Sequence, residues 1–279
     1  LAMISFEEYN DFSNHLLDSC YYETLLSGNL TRDQAIQTWD LVLDTVQSNP
    51  YPLKDHEKRD FLTLSPFHGP YKIVDKTKSL GNAALLLIQQ GASTPMKKAC
   101  HSILGMALQE DFFDTLRTKQ QTAYIASSIS KEEENQLINL FLVQSTSHQC
   151  EELIARFDLF IESYLKNFNE TLPEGRFELL KSNFITTLET PPPNIYQLSA
   201  LQYDEAFRHN HDFGRREELI NCCKSITYEE FQKLAESYLS RKNQKRIAIQ
   251  LTGEQYKGES FVYTPISADQ LKGCSSSEK

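Results

Sequence analysis

The sequence predicts an α+β fold, an antiparallel-rich sheet with helices packed on one face, and three observations predict it. Strand-like segments cluster between residues 71 and 145, helical periodicity dominates from His148 to Tyr238, and one closing strand-like run, Lys245 to Leu251, follows the helices. Strands grouped before helices, rather than alternating with them, favour antiparallel pairing over a doubly wound parallel sheet.

The elements follow in chain order. Phe6, Tyr9, Phe12, Leu16 and Leu17 recur at three- and four-residue steps, the period of an amphipathic helix. Cys20 to Leu26 is aromatic and aliphatic and is closed by Ser27-Gly28-Asn29, which predicts a strand ending in a turn. Thr31 opens a second helix as N-cap, with Gln34 completing a capping box and Ala35, Trp39, Val42 and Val46 forming its apolar stripe. Asn49-Pro50-Tyr51-Pro52 stops that helix, because the residue before a proline is pushed out of the helical region.

The charged stretch Lys54 to Asp60 has no apolar face and is expected to be a solvated linker. It divides the chain into the end of a preceding α+β domain (residues 1–53), the linker (54–60), a larger α+β domain (61–252) and an irregular tail (253–279). In the larger domain, Tyr71 to Asp75 and Asn82 to Gln90 are expected strands, and Ser93 or Thr94 caps a helix from Pro95 to about Gln109. Thr122 to Ser130 and Leu137 to Ser145 are an expected strand pair joined by the acidic turn Lys131 to Glu134. The helical region is broken at Pro173, at Pro191-Pro192-Pro193 and around Asp212-Phe213-Gly214.

Bulk properties exclude several functions. Hydrophobic residues make up 40% and charged residues 24%, the balance of an ordinary folded protein. A net charge of -10 repels phosphate backbones and anionic lipid, so nucleic acid is excluded as an expected partner. The longest apolar run, Ala83 to Ile88, falls far short of the roughly 20 residues that cross a bilayer, so no membrane partner is expected. Leu1-Ala2-Met3 carries no signal pattern, and the compartment stays open between cytoplasm and periplasm. The six cysteines form no C-x-x-C pair and are expected to be reduced thiols. No G-x-S-x-G, P-loop or G-x-G-x-x-G motif is present.

The segment Phe113-Asp114-Thr115-Leu116-Arg117-Thr118-Lys119-Gln120-Gln121-Thr122-Ala123-Tyr124 is the most specific in the chain. It resembles the Phe-x-x-Leu-Arg-x-x-x-Gln-x-x-Tyr segment in the last domain of insulinase-type (pitrilysin-like) zinc endopeptidases. Leu26-Ser27-Gly28-Asn29-Leu30-Thr31 resembles the Leu-x-Gly-Asn-hydrophobic-Thr segment near the end of their third domain, and the order of elements is alike over residues 15–250.

The resemblance implies a four-domain clamshell protease whose repeated domains share this α+β fold. Zinc is then held in the first domain by an inverted H-x-x-E-H motif, and the fourth domain closes over the peptide. On that reading Arg117 holds the bound peptide by its backbone and Tyr124 is a catalytic and substrate-binding residue whose hydroxyl faces the scissile carbonyl. A guanidinium offers five fixed donors to carbonyls, and a phenol O–H can donate to an oxygen that becomes an oxyanion. Relatives usually have Leu-Gly before the tyrosine, where this chain has Thr122-Ala123. Phe113 and Leu116 are expected in the core.

None of the seven histidines sits in H-x-x-E-H or H-E-x-x-H, and His209-Asn210-His211-Asp212 is the nearest approach to a metal cluster. The resemblance therefore implies that zinc and its ligands belong to the N-terminal half of the same protein. That half and peptide substrates are the expected partners, and this part alone is expected to be inactive. The alternative is an inactive scaffold of the same fold that binds a peptide or a partner without cutting.

Overall fold

In the computed structural model, residues 4–56, 61–253 and 264–267 are described. The elements are α1 (Phe6–His15), β1 (Ser19–Cys20), α2 (Arg32–Val46), β2 (Asn49–Pro50), β3 (Tyr71–Lys76), β4 (Asn82–Ala92), α3 (Pro95–Phe113), β5 (Ile125–Glu133) and β6 (Gln136–Ser145). They continue with α4 (Cys150–Lys166), α5 (Phe168–Thr171), α6 (Glu174–Glu189), α7 (Ile195–Tyr203), α8 (Arg215–Ser225), α9 (Tyr228–Leu239), β7 (Arg246–Thr252) and β8 (Thr264–Pro265). The chain divides into two compact units, one of residues 1–59 and 191–213, the other of residues 60–190 and 214–279.

In the first unit, capping boxes start both long helices: Ser5 with Glu8 on α1 and Thr31 with Gln34 on α2. The αL conformation of Gln47 (φ 51°) ends α2. Ser27 accepts from the Ser199 hydroxyl at 3.0 Å and donates to Gln202 at 2.7 Å, tying α7 to the Gly28 turn. The strand expected over Cys20 to Leu26 reduces to Ser19–Cys20, paired in parallel with Asn49–Pro50. A strand needs a partner, and among the described residues none runs beside 21–26. The apolar stripe of α1 is exposed, with Phe6 at 79% and Phe12 at 64%.

The second unit is built on a six-stranded sheet of order β5-β6-β4-β7-β3-β8. The β5-β6-β4-β7 pairs are antiparallel, while β3 lies parallel to both β7 and β8. The predicted antiparallel-rich α+β fold is thus observed, with α3, α4 and α9 on one face. That face buries Ala84, Leu86 and Ile88 of β4, Phe141 and Val143 of β6 and Ala248 of β7. The alternate residues Leu85, Leu87, Leu140 and Leu142 face the other way and are half-covered. The acidic turn expected at Lys131 to Glu134 is corrected: Lys131 to Glu133 pair with β6, and the chain turns at Glu134 and Asn135, both with positive φ (44° and 60°). The linker expected at 54–60 and the tail expected from 253 lie partly outside the described residues. Thr264–Pro265 of that tail pairs with β3 as β8 rather than being irregular.

Helix α3 is covered on both sides, by the sheet and by α6 and α8, which explains why nine of its residues are buried. Phe112 sits at the centre of an aromatic cluster, 5.2 Å from Phe141, 5.4 Å from Phe157 and 5.3 Å from Phe160 between ring centroids. At Gly105 the helix touches β5: a Cβ there would lie 2.4 Å from the Ser130 hydroxyl oxygen and 2.6 Å from its Cβ. His101, 1% exposed, shares a hydrogen bond at 3.1 Å with the Ile138 carbonyl, and burial pushes its pKa down to about 4.

Two outcomes follow. Gly105→Ala gains about 1 kcal/mol of helix propensity but overpacks a contact that costs about 1–3 kcal/mol. The Ser130 Cβ cannot swing away, so chemical denaturation should show a net loss of stability; an unchanged or higher midpoint would refute the packing argument. A His101 that titrates lower in the folded chain binds its proton preferentially in the unfolded one between about pH 4 and 6.5. Stability should therefore fall as pH drops through that window, by up to about 3 kcal/mol for this residue. His101→Leu should flatten the profile there, and an unaltered slope would show that His101 is not the group responsible.

Candidate functional site

The site forms where α3 ends. Asp114 to Lys119 continues it as a wider π-helical turn, with the Gln120 N–H reaching the Thr115 carbonyl at 3.0 Å. The Thr122 N–H then bonds to the Leu116 carbonyl at 2.9 Å, and Ser145 donates to the Thr122 carbonyl at 2.6 Å. These bonds hold Thr122 against the helix end, so β5 begins at Ile125 and Tyr124 stands just before it, a correction to the strand expected from Thr122. The positive φ needed here falls on Gln121 (49°) and not on Ala123, so alanine in place of the usual glycine carries no left-handed strain.

Leu116 is fully buried, as expected, and the next side chain, Arg117, is exposed. Its guanidinium lies 5.1 Å from the centroid of Phe113 and 5.7 Å from that of Tyr124, so the structure brings the two predicted site residues together. Phe113 departs from expectation: it is 41% exposed and seats Arg117. Its position four residues before an arginine on one helix face was the available signal. The nearby carboxylates are engaged elsewhere, Asp114 by Lys119 at 2.7 Å and Asp111 by Arg176 at 2.8 Å. The Asp114 hydrogen bond raises the Lys119 pKa. Among the described residues no ion pair reaches Arg117 and no hydrogen bond reaches the hydroxyl of Tyr124, a residue 81% exposed. The cluster therefore offers a planar cation and a phenol O–H to a ligand, both pointed at solvent.

Zinc finds no fitting ligand set here: among the described residues no three His, Cys, Asp or Glu side chains converge. His209 faces Asp204 at 3.4 Å, and Asn210 and His211 take positive φ in the turn that follows. His148 shares hydrogen bonds with Ser145 and Ser147, and His56 stacks on Tyr51. Cys100, Cys150 and Cys223 are buried free thiols; burial pushes Cys100 up to about 12 and Cys223 to about 11.

Comparison with known proteins gives this geometry a context. Residues 103–201 match the family described as PQQ synthase PqqF-like, C-terminal lobe domain 4. The chain is 22% identical over 254 residues to the A-factor-processing enzyme of Saccharomyces cerevisiae, covering 90% of this chain and 24% of that protein. It is 22% identical over 265 residues to the insulin-degrading enzyme of Drosophila melanogaster, covering 91% and 26%. Among solved structures, pitrilysin superposes with a TM-score of 0.67 at 19% identity over 85% of this chain and 25% of that one. A peptidase M16 inactive domain from Pseudomonas fluorescens superposes with a TM-score of 0.61 at 14% identity, covering 95% and 60%.

The fold is that of the M16 peptidase domains. The chain is thus similar to insulinase-like peptidases, and the family model that it matches over residues 103–201 describes a C-terminal lobe domain. The chain spans about a quarter of the length of these curated relatives.

Proposed function

We propose that this chain is the part of a zinc metalloendopeptidase that grips the peptide, with zinc and its ligands supplied by the N-terminal half of the same protein. The observation that carries this reading is the Arg117 guanidinium, exposed, free of ion pairs among the described residues and stacked beside the exposed Tyr124 phenol. Arg117 then takes carbonyls of the bound peptide, and Tyr124 donates to the scissile carbonyl oxygen as charge develops on it. The exposed apolar stripe of α1 supports a preceding domain as partner, since a helix with such a stripe buries it against another element.

In the complete zinc-bearing protein, Tyr124→Phe should lower kcat by roughly 10²–10³-fold, the effect of removing one oxyanion donor. Arg117→Ala should lower kcat/KM while leaving circular dichroism and melting unchanged. Full turnover by Tyr124→Phe in a peptide-cleavage assay would remove the role assigned to it. A second reading, an inactive scaffold that binds without cutting, is favoured by the similarity to the M16 inactive domain. Peptide binding by the complete zinc-loaded protein with no cleavage of any peptide in a mixed library would establish it.

A further inference from the structure

The sheet ends in an unpaired edge. β5 is bonded to β6 residue for residue, from Ile125 opposite Gln144 to Glu133 opposite Gln136, and among the described residues has no neighbour on its other side. Among the described residues no side chain or loop backbone bonds to the main chain of residues 125–130 from that side. Edge strands are ordinarily guarded by proline, inward charges or bulges. Residues 125–130 read Ile-Ala-Ser-Ser-Ile-Ser and carry none of these; the charges begin only at Lys131.

A cleft of about 590 Å³ lies against this edge. Met106, Glu110, Phe113 and Asp114 form its helical wall, and Ala126 and Ser127 of β5 form the other. A strand edge facing a helix across a groove is an arrangement that takes up an extended peptide as one more strand, backbone bonds giving affinity and the groove reading alternate side chains. Both carboxylates of the cleft are already neutralised, Glu110 by Arg176 at 2.9 Å and Asp114 by Lys119 at 2.7 Å. The chemistry left for selection is therefore the apolar surface of Met106 and Phe113. On the sheet's open face, Ile125 and Ile129 are 41% and 43% exposed, and an added strand would cover them.

We propose that the free edge of β5 binds an extended peptide as an additional antiparallel or parallel strand, with a large apolar side chain seated in the cleft between Phe113 and Ser127. The occupant is the continuation of the peptide held at Arg117 and Tyr124, and to that extent the proposal rests on the function proposed above. The continuity is physical: Phe113 is at once a wall of the cleft and the seat of the Arg117 guanidinium, and Tyr124 immediately precedes the edge strand. At about 3.3 Å per residue, the unguarded edge accommodates about six residues of peptide.

The test uses the 279-residue chain and a fluorescent peptide of about twelve residues that alternates valine and threonine, long enough to overrun the edge. Two counterparts carry N-methyl groups at the odd or at the even backbone nitrogens. The expected result is slowed amide exchange at residues 125–130 on peptide addition. One methylated peptide should bind roughly tenfold more weakly, having lost its row of donors to β5, while the other binds as before. Met106→Ala should weaken binding by removing apolar surface from the cleft wall, and Ser127→Thr, which fits an edge strand, should not.

Binding that leaves exchange at 125–130 unchanged and is indifferent to both methylation patterns overturns strand addition. If that binding is lost in Arg117→Ala, the peptide-gripping role of Arg117 survives it. Protection of 125–130 that is equal in wild type, Arg117→Ala and Tyr124→Phe supports the edge site and instead counts against the Arg117 and Tyr124 roles. Protection that grows with protein concentration without peptide shows that a second copy occupies the edge, and overturns the proposal.

Discussion

Helix α3 approaches β5 so closely that Gly105 has no room for a Cβ beside Ser130. That contact, with the burial of the helix between the sheet and α6 and α8, fixes where the helix ends. A helix covered on two sides cannot roll to relieve strain at its terminus, because each of its faces is committed to close-packed neighbours. Phe112 and Leu116, both at 0% exposure, set its axial position. The direction taken by Phe113 and Arg117 is then dictated: the side chains next to two core anchors have only the solvent side left.

Charge pairing around α3 sorts the cations into structural and available ones. Glu132, with a side chain only 7% exposed, is held below the usual carboxylate range by Lys98 at 3.2 Å and Arg215 at 2.6 Å, against a desolvation cost that acts in the opposite direction. Arg176 spans Asp111, Glu110 and the Thr171 carbonyl, closing the far end of α3. Buried or bidentate pairs of this kind are strongly destabilising to break from one side only. Asp111 is committed to Arg176, from which it accepts at 2.8 Å, and is not available to Arg117. The absence of an ion pair at Arg117 among the described residues follows from the satisfaction of its neighbours.

Much of the fold was legible because its signals are local. The capping box at Thr31 and the proline stop at Pro173 are written within a few residues, as is the existence of a turn between β5 and β6, though not its place. Features that depend on a distant partner were not legible. Beyond Cys20, the run to Leu26 has strand composition but, among the described residues, no neighbouring strand, and strand propensity reports fit to a pleated neighbour more than a backbone preference. The membership of residues 191–213 in the first compact unit depends on pairings such as Ser27 with Ser199, 172 positions apart. Of the site, Arg117 and Tyr124 were visible through resemblance, but the half-exposed Phe113 was taken for core because an aromatic residue beside a buried one carries no mark of which side it faces.

The π-helical turn reconciles two demands that a regular helix would set against each other. An α-helix places residues four apart on one face, so continuing α3 unchanged past Phe113 would carry the chain onward along the helix axis. The wider turn from Asp114 to Lys119 keeps Leu116 in the core, brings Arg117 back over Phe113, and lets the Thr122 N–H close on the Leu116 carbonyl. The chain is thereby turned into β5 within a few residues, with Gln121 in the left-handed conformation. Such insertions weaken a helix locally and recur at functional sites, where the geometry obtained outweighs the poorer hydrogen bonds. Here it obtains the arrival of Tyr124 beside Arg117 from the opposite direction, two side chains seven positions apart held face to face by one irregular turn and the strand edge it feeds.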